Sequence, residues 1–158
     1  MRRIRLGMVG GGKGSFIGAV HRIAARIDDR FELVAGSLSS DAIRAAESAA
    51  EIGIDPDRSY ATFTDMASKE AARADGIEAV AIVTPNHMHA APATAFLEAG
   101  IHVICDKPLA ATMAQAEAIQ AAVTASTAHF FLTHNYTGYP LIRQAREMVA
   151  NGALGSLR

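Results

Sequence analysis

The residues best placed to do chemistry follow an apolar run in the second half of the chain. Lys107 stands in the triplet Asp106-Lys107-Pro108, directly after residues 101–105. If that run is a strand, the lysine lies at its carboxyl end, where open α/β sheets bind ligands. An ammonium there can polarise a hydroxyl or carbonyl group during oxidation or reduction and favour the alkoxide-like form. The triplet therefore makes Lys107 a candidate catalytic residue. A salt bridge between Asp106 and a neighbouring base is the structural alternative.

A glycine-rich turn follows the first apolar run, residues 4–9, and precedes an amphipathic pattern. Such a turn lets the backbone approach a pyrophosphate with no Cβ in the way, and the following helix offers free N–H groups and about half a positive charge. Ser15 stands where the third glycine of G-x-G-x-x-G belongs, so Gly18 fits only after an insertion of three residues. The turn predicts a dinucleotide site, and a flexible surface loop is the alternative. Its predicted binding residues are Gly10, Gly12, Lys13, Gly14, Ser15, Phe16 and Ile17.

The end of the second predicted strand lacks the carboxylate that usually binds the adenosine ribose. Ser39 and Ser40 stand there, with Arg44 nearby, and these side chains suit a 2′-phosphate as well as a free ribose. The coenzyme is therefore predicted as NAD or NADP, with Ser39 and Ser40 among its contacts. A role for the serines in capping the next helix is the alternative.

Polar residues also end two other predicted strands. The segment Thr84-Pro85-Asn86-His87-Met88-His89 follows residues 79–83, and its first four residues are predicted to form a polar rim of the coenzyme groove. A metal site that adds Cys105 and Asp106 to the histidines is the alternative, but the spacing and ligand number are poor for zinc, so no metal is predicted. Asp106, Lys107 and Asn135 complete the predicted coenzyme contacts.

Apolar runs of strand type alternate with helical patterns along the chain, which predicts a doubly wound, mainly parallel α/β sheet of about six strands. One helix begins after the glycines, and its apolar residues share one face: Ile17, Val20, Ile23, Ala24 and Ile27. Predicted strands are residues 4–9, 31–35, 60–63, 79–83, 101–105 and 130–133. Other helices are predicted at 41–52 with Ser40 as the N-cap, after Thr64 as an N-cap, at 91–99 and at 139–150. A further helix is predicted to begin at Thr112, with Thr112 and Gln115 as a capping box, and to end at about residue 124.

Composition excludes several classes of protein. The chain has 158 residues, 50% of them hydrophobic, a formal net charge of -1 and a single cysteine. This predicts one domain, residues 1–150, without an internal disulfide and in the reducing cytoplasm, with residues 151–158 as the start of a connection. The sequence has no uncharged apolar run of about 20 residues and no basic block, so neither a membrane nor nucleic acid is a predicted partner.

Four segments together resemble the Gfo/Idh/MocA oxidoreductases. They are residues 8–12, 82–89, 106–109 and the stretch from Thr133 to Pro140. The resemblance implies a Rossmann domain with Lys107 beside the nicotinamide and the substrate. Asp106 replaces the family's usual glutamate, and Ser39 replaces its usual acid. His21 matches a histidine common at that position, which supports the alignment of Gly18.

The resemblance also implies a substrate and a missing part. A secondary alcohol of a sugar, polyol or inositol is the expected substrate, with an inositol 2-dehydrogenase-like branch suggested by residues 134–140. Family members carry a second domain that supplies the general acid/base and the surface for a homo-oligomer, so this chain alone is expected to be inactive. Two alternatives remain: a stand-alone dinucleotide-sensing or partner-binding domain, and an adenosylmethionine-dependent transferase.

Overall fold

The computed structural model describes residues 2–156, in which it places five strands and six helices. The strands are β1 (Ile4–Gly10), β2 (Phe31–Ser37), β3 (Ala79–Val83), β4 (His102–Cys105) and β5 (Phe130–Leu132). The helices are α1 (Phe16–Ile27), α2 (Ala42–Glu51), α3 (Phe63–Ala71), α4 (Ala90–Glu98), α5 (Met113–Ala125) and α6 (Pro140–Ala150). Short 3-10 turns cover Pro56–Arg58, Asn86–Met88 and Asn135–Gly138. None of these helices is long and apolar enough to cross a membrane. The last two residues of the predicted connection, 157 and 158, lie outside the described part.

The five strands form one parallel sheet in the order β2-β1-β3-β4-β5. The chain begins in the interior of the sheet at β1, adds β2 on one side and then crosses to β3 on the other side. The order therefore reverses between β1 and β3, and the carboxyl ends of both strands meet at that switch point. Ligands bind at such a point in open α/β sheets. The predicted doubly wound parallel sheet is confirmed.

One predicted strand, residues 60–63, is wrong. The chain makes only an isolated bridge between Ser59 and Gly36, and the N–H of Tyr60 donates to the Gly36 carbonyl at 2.8 Å. The Tyr60 ring is buried in the core, and α3 begins three residues later at Phe63. The aromatic and β-branched residues of this segment serve core packing and helix capping instead of a sixth strand.

Two predicted helix caps also differ from the structure. The N-cap of α2 is Asp41, which accepts from the Arg44 N–H at 2.8 Å, and a carboxylate next to the first turn replaces the predicted Ser40. The N-cap of α3 is Thr62 instead of Thr64. The predicted Thr112 cap of α5 is confirmed, since its side chain accepts from the Gln115 N–H.

Both faces of the sheet are covered by helices, but unequally. Alternate residues of β3 point to opposite faces: Val80 and Ile82 join the core beneath α3, α4 and α5, whereas Ala79, Ala81 and Val83 join the core beneath α1 and α2. The first of these cores includes Phe96 and Leu97 of α4, with 0% and 1% of their surface exposed. The second face is covered less completely, because α1 packs over only part of the sheet.

The apolar faces of α1 and α6 lie at the surface of the described residues. Val20, Ile23 and Ile27 of α1 are 40%, 57% and 79% exposed, so of the predicted amphipathic face Ile17 packs against the core and most of the rest stays at the surface. In α6, every residue is at least partly exposed, and Leu141 is 76% exposed. Exposed apolar surface favours association. The homo-oligomer stays a prediction.

A buried ion pair joins the segment before α3 to the start of β3. Glu70 is 1% exposed and accepts from Nε and Nη2 of Arg58, from the Tyr60 hydroxyl at 2.7 Å and from the Ile77 N–H at 3.0 Å. Burial, together with the hydrogen bond to Glu70, raises the pKa of Tyr60 to about 12. Every oxygen of this carboxylate therefore has donors, which is the condition under which a buried charge is tolerated.

We expect Glu70→Gln to lower the free energy of unfolding by about 3 kcal/mol, because the buried Arg58 charge loses its counter-charge. Urea denaturation followed by circular dichroism measures this change. The control is Glu117→Gln on the exposed face of α5, which should shift stability by less than about 0.5 kcal/mol. Equal shifts in the two variants would contradict a stabilising role for the pair.

Candidate functional site

The turn after β1 has a backbone that only glycine adopts easily. Gly10, Gly11 and Gly14 have φ angles of 76°, 76° and 82°. A Cβ on Gly10 would lie 2.9 Å from Cγ2 of Thr84, and one on Gly12 would lie 2.8 Å from the Leu38 carbonyl oxygen. The turn is therefore a compact structure wedged between the ends of β2 and β3.

Gly18 in the first turn of α1 packs directly on this glycine turn. A Cβ on Gly18 would lie 2.4 Å from Cα of Gly11 and 2.5 Å from its carbonyl oxygen. This is the close helix-to-strand contact that the third glycine of a dinucleotide turn provides. Gly18 thus takes that position, as the alignment with an insertion predicted, and Ser15 has a different role.

Ser15 is the N-cap of α1, and its Oγ accepts from the Gly18 N–H at 3.3 Å. The backbone N–H of Lys13 is also engaged, since it donates to Ser48 Oγ of α2 at 2.9 Å. Within residues 2–156, the N–H groups of Gly12, Gly14 and Phe16 make no hydrogen bond. These three amides, next to the N-terminus of α1, are the free donors that an anion would meet.

Arg22 of α1 forms a hydrogen bond with the backbone of the glycine turn. Its Nη1 donates to the Gly11 carbonyl at 2.7 Å. Because the C=O and N–H of a trans peptide point in opposite directions within its plane, this bond directs the Gly12 N–H away from Arg22. The sequence offered no signal for this contact, since a basic residue two turns into a helix is usually solvated.

An open groove of about 570 Å³ runs from the glycine turn to the ends of β2 and β3. We call it the glycine groove. It brings together predicted residues from the glycine turn, from the end of β2 and from the end of β3. They are Gly10, Gly12, Lys13, Ser15, Ser39, Ser40, Thr84 and Pro85. Arg44 lines the same end as the two serines, and within the described residues this lining holds no carboxylate. Thr62, Phe63 and Met88 also line the groove and were missed by the sequence prediction.

A second hollow of about 340 Å³ lies beside α1, on the open part of the sheet. We call it the lysine hollow. Its apolar wall comes from α1 and the sheet, including Ile17, Val20 and Ile104, and its polar end holds the predicted residues Asp106, Lys107 and Asn135. In the described part of the chain, the Lys107 ammonium has no hydrogen bond or ion pair within range. It is therefore available to an external oxygen.

Asp106, in contrast, is engaged by the protein. Its Oδ1 accepts from Thr133 Oγ1 at 2.8 Å and lies 3.6 Å from His21 Nε2, and the His21 and Asp106 side chains are both largely buried. The base next to Asp106 in the salt-bridge alternative is thus His21, which would form the ion pair when protonated, and Lys107 is left unpaired. The neighbouring Cys105 is fully buried, and burial raises the pKa of its thiol to about 12, as expected for an inert cysteine.

Several predicted residues lie outside both cavities. Asn86 and His87 are exposed in the 3-10 turn after β3, and the Phe16 side chain is 82% exposed. Gly14 contributes backbone but lines neither cavity. Among residues 2–156, no three His, Cys, Asp or Glu side chains cluster as metal ligands. His89 of the metal alternative is buried, with both ring nitrogens close to backbone carbonyls.

Comparison with known proteins supplies the family context. The sequence profile described as "Oxidoreductase family, NAD-binding Rossmann fold", that of the Gfo/Idh/MocA proteins, matches residues 4–136. Among curated proteins, the chain is 32% identical over 159 residues to levoglucosan dehydrogenase from Pseudarthrobacter phenanthrenivorans, a match that covers 99% of this chain and 40% of that protein.

Solved structures agree over the whole chain. An oxidoreductase from Sinorhizobium meliloti has 61% sequence identity and a TM-score of 0.94, covering 100% of this chain and 44% of that one. An inositol dehydrogenase homolog complexed with NAD+ from Azotobacter vinelandii has 44% identity and a TM-score of 0.93, covering 99% and 40%. The chain therefore spans less than half the length of these relatives.

We expect Gly18→Ala to lower the free energy of unfolding by about 1–3 kcal/mol, because the added methyl group overlaps the Gly11 backbone. Urea denaturation checks this value. Gly138→Ala is the matched control, since a Cβ there meets nothing within 4 Å and its stability should stay within about 0.5 kcal/mol. A Gly18 variant as stable as this control would show that α1 is free to move away from the turn.

Proposed function

The chain belongs to the Gfo/Idh/MocA oxidoreductases, whose NAD-binding Rossmann domain it forms, and we propose that it is the coenzyme-binding half of a dehydrogenase acting on a secondary alcohol. The observation that carries this proposal is the glycine turn with Gly18 packed on Gly11 at the switch point of the sheet. An adenosylmethionine-dependent transferase is not supported, because the chain belongs to an oxidoreductase family.

The glycine turn fits a dinucleotide by its shape and by its donors. A Cβ at Gly10 or Gly12 would overlap protein atoms, so the turn stays narrow, and the N–H groups of Gly12, Gly14 and Phe16 are free to bind oxygen. These groups and the N-terminus of α1 would hold the pyrophosphate. Ser39, Ser40 and Arg44 would contact the adenosine ribose, whether or not it carries a 2′-phosphate.

Lys107 would act on the substrate oxygen. Hydride transfer is the chemistry that a bound nicotinamide supplies in such enzymes. The ammonium of Lys107 has no protein partner in the described residues, so it can donate a hydrogen bond to the reacting oxygen and stabilise its alkoxide-like form. Asp106 makes no ion pair with it, and the Asp106 carboxylate instead accepts from Thr133 and lies beside His21.

The proposed substrate class rests on the relatives of this chain. Two relatives are by name an inositol dehydrogenase homolog and levoglucosan dehydrogenase, which supports a polyol or sugar as the substrate. Within residues 2–156, Lys107 is the unpaired cation of the lysine hollow, and the two other titratable side chains there, His21 and Asp106, lie 3.6 Å from each other. The part of the relatives that this chain does not cover would supply the proton acceptor and the rest of the substrate pocket, and the chain alone would bind coenzyme without turnover.

We expect the chain to bind NADH and NADPH with affinities of the same order, because the ribose end of the glycine groove has no carboxylate among the described residues. Titration followed by reduced-nicotinamide fluorescence measures both dissociation constants. Ser39→Asp should weaken NADPH binding at least about tenfold by repulsion of the 2′-phosphate and leave NADH binding unchanged or tighter.

The control for this variant is Thr127→Asp, which adds the same charge at an exposed site before β5 and should leave both affinities unchanged. Absence of binding of either coenzyme at millimolar concentration would overturn the proposed function. Equal weakening of both coenzymes by Ser39→Asp would place the ribose elsewhere.

In the full-length oxidoreductase that carries this domain, we expect Lys107→Ala to lower kcat about 100-fold or more while the dissociation constant for NADH changes less than about threefold. Steady-state kinetics and nicotinamide fluorescence give the two values. Unchanged turnover would remove Lys107 from the reaction. Failure of the unmodified full-length protein to turn over any polyol or sugar would instead favour a sensing domain.

A further inference from the structure

Two loops carry the proposed site residues on neighbouring strands. The β3 loop, residues 84–89, lies beside the glycine groove, and the β4 loop, residues 106–112, carries Lys107. For Lys107 to act beside a bound coenzyme, these two loops must keep a fixed spacing. Two side chains outside the proposed site connect them.

His89 is the first connection. It is 1% exposed, its Nδ1 lies 2.9 Å from the Pro108 carbonyl oxygen of the β4 loop, and its Nε2 lies 2.9 Å from the Thr84 carbonyl oxygen of the β3 loop. Carbonyl oxygens only accept hydrogen bonds and a neutral imidazole carries one ring proton, so a neutral His89 donates to one of these carbonyls and packs closely against the other. One buried ring therefore bridges the residue after Lys107 to the residue that borders the glycine groove.

Gln115 is the second connection, from the first turn of α5. Its Nε2 donates to the His87 carbonyl of the β3 loop at 3.1 Å, while its Oε1 accepts from the Ala111 N–H of the β4 loop at 3.0 Å. In the capping box predicted for α5, this oxygen would return to the N-cap N–H itself. Here it binds one residue earlier, and the amide nitrogen is left free to reach the other loop.

We propose that His89 and Gln115 are positioning residues that tie the β3 loop to the β4 loop and thereby hold Lys107 at a fixed place relative to the coenzyme groove. This inference rests on the proposed function for its catalytic meaning. The tie itself is a property of the chain without coenzyme. It connects the backbone of the two loops and leaves the side chain of Lys107 free.

The tie is tested first without coenzyme, by amide hydrogen exchange measured by NMR. Gln115→Ala removes the acceptor of the Ala111 N–H and one bridge, so exchange of that amide should become about three- to tenfold faster. Gln120→Ala is the matched control, because this glutamine lies on the exposed surface of the same helix. It should leave the exchange rate of Ala111 unchanged.

A second measurement follows Lys107 itself. The chain has three lysines, Lys13, Lys69 and Lys107, so reductive methylation with 13C-formaldehyde gives few signals, and loss of one in Lys107→Arg assigns it. In the unmutated chain, NADH should shift the Lys107 signal and leave that of Lys69, on α3, in place. In His89→Phe and Gln115→Ala, the dissociation constant of NADH should stay within about threefold, but the Lys107 shift should fall to half or less.

His89→Gln keeps one donor and should restore part of the Lys107 response, which loss of packing alone does not explain. If His89→Phe does not fold, Gln115→Ala still decides, since its side chain lies partly at the surface. A full Lys107 response in folded variants, with unchanged exchange at Ala111, would overturn the inference. If NADH does not bind the unmutated chain, the proposed function fails. The exchange rates, measured without coenzyme, still test whether the two loops are connected.

Discussion

The contact between Gly18 and Gly11 is the constraint on which the rest of the site depends. Because neither residue has a Cβ, α1 reaches the sheet with its backbone almost touching the turn after β1. The N-terminus of the helix then lies at the switch point, and its free N–H groups stand beside the narrow glycine backbone. The same approach explains the surface of α1: with glycine as the contact, its larger apolar residues are left beside the sheet, where they form a wall of the lysine hollow.

The two charged residues that follow β4, Asp106 and Lys107, differ in their protein contacts. Asp106 lies beside His21 and is hydrogen bonded to Thr133, so α1, β4 and the end of β5 are joined at one carboxylate. Lys107, the next residue, remains unpaired in the described part of the chain and faces a largely apolar hollow. The arrangement of the two residues thus keeps the cation available for a ligand.

Much of the architecture could be predicted from the sequence, because it rests on local patterns. Buried strands, the glycine turn and the Asp106-Lys107-Pro108 triplet are short motifs with a direct physical meaning, and the parallel sheet follows from their alternation. The strand expected at residues 60–63 was wrong because its apolar signal comes from core packing of Tyr60. The buried Arg58 and Glu70, the Arg22 contact and the bridges of His89 and Gln115 could not be predicted. Each joins residues through tertiary contacts that no local spacing encodes.

In the loop after β2, Leu38 is buried in the core, whereas the residues that follow it are held by local hydrogen bonds. The Asp41 N–H donates to Ser39 Oγ, and the Asp41 carboxylate accepts from the Arg44 N–H. Both bonds join residues that are neighbours in sequence and involve no core residue. Substitutions at Ser39 and Ser40 are therefore expected to cost little folding free energy, so the chemistry of this rim can change without rebuilding the scaffold.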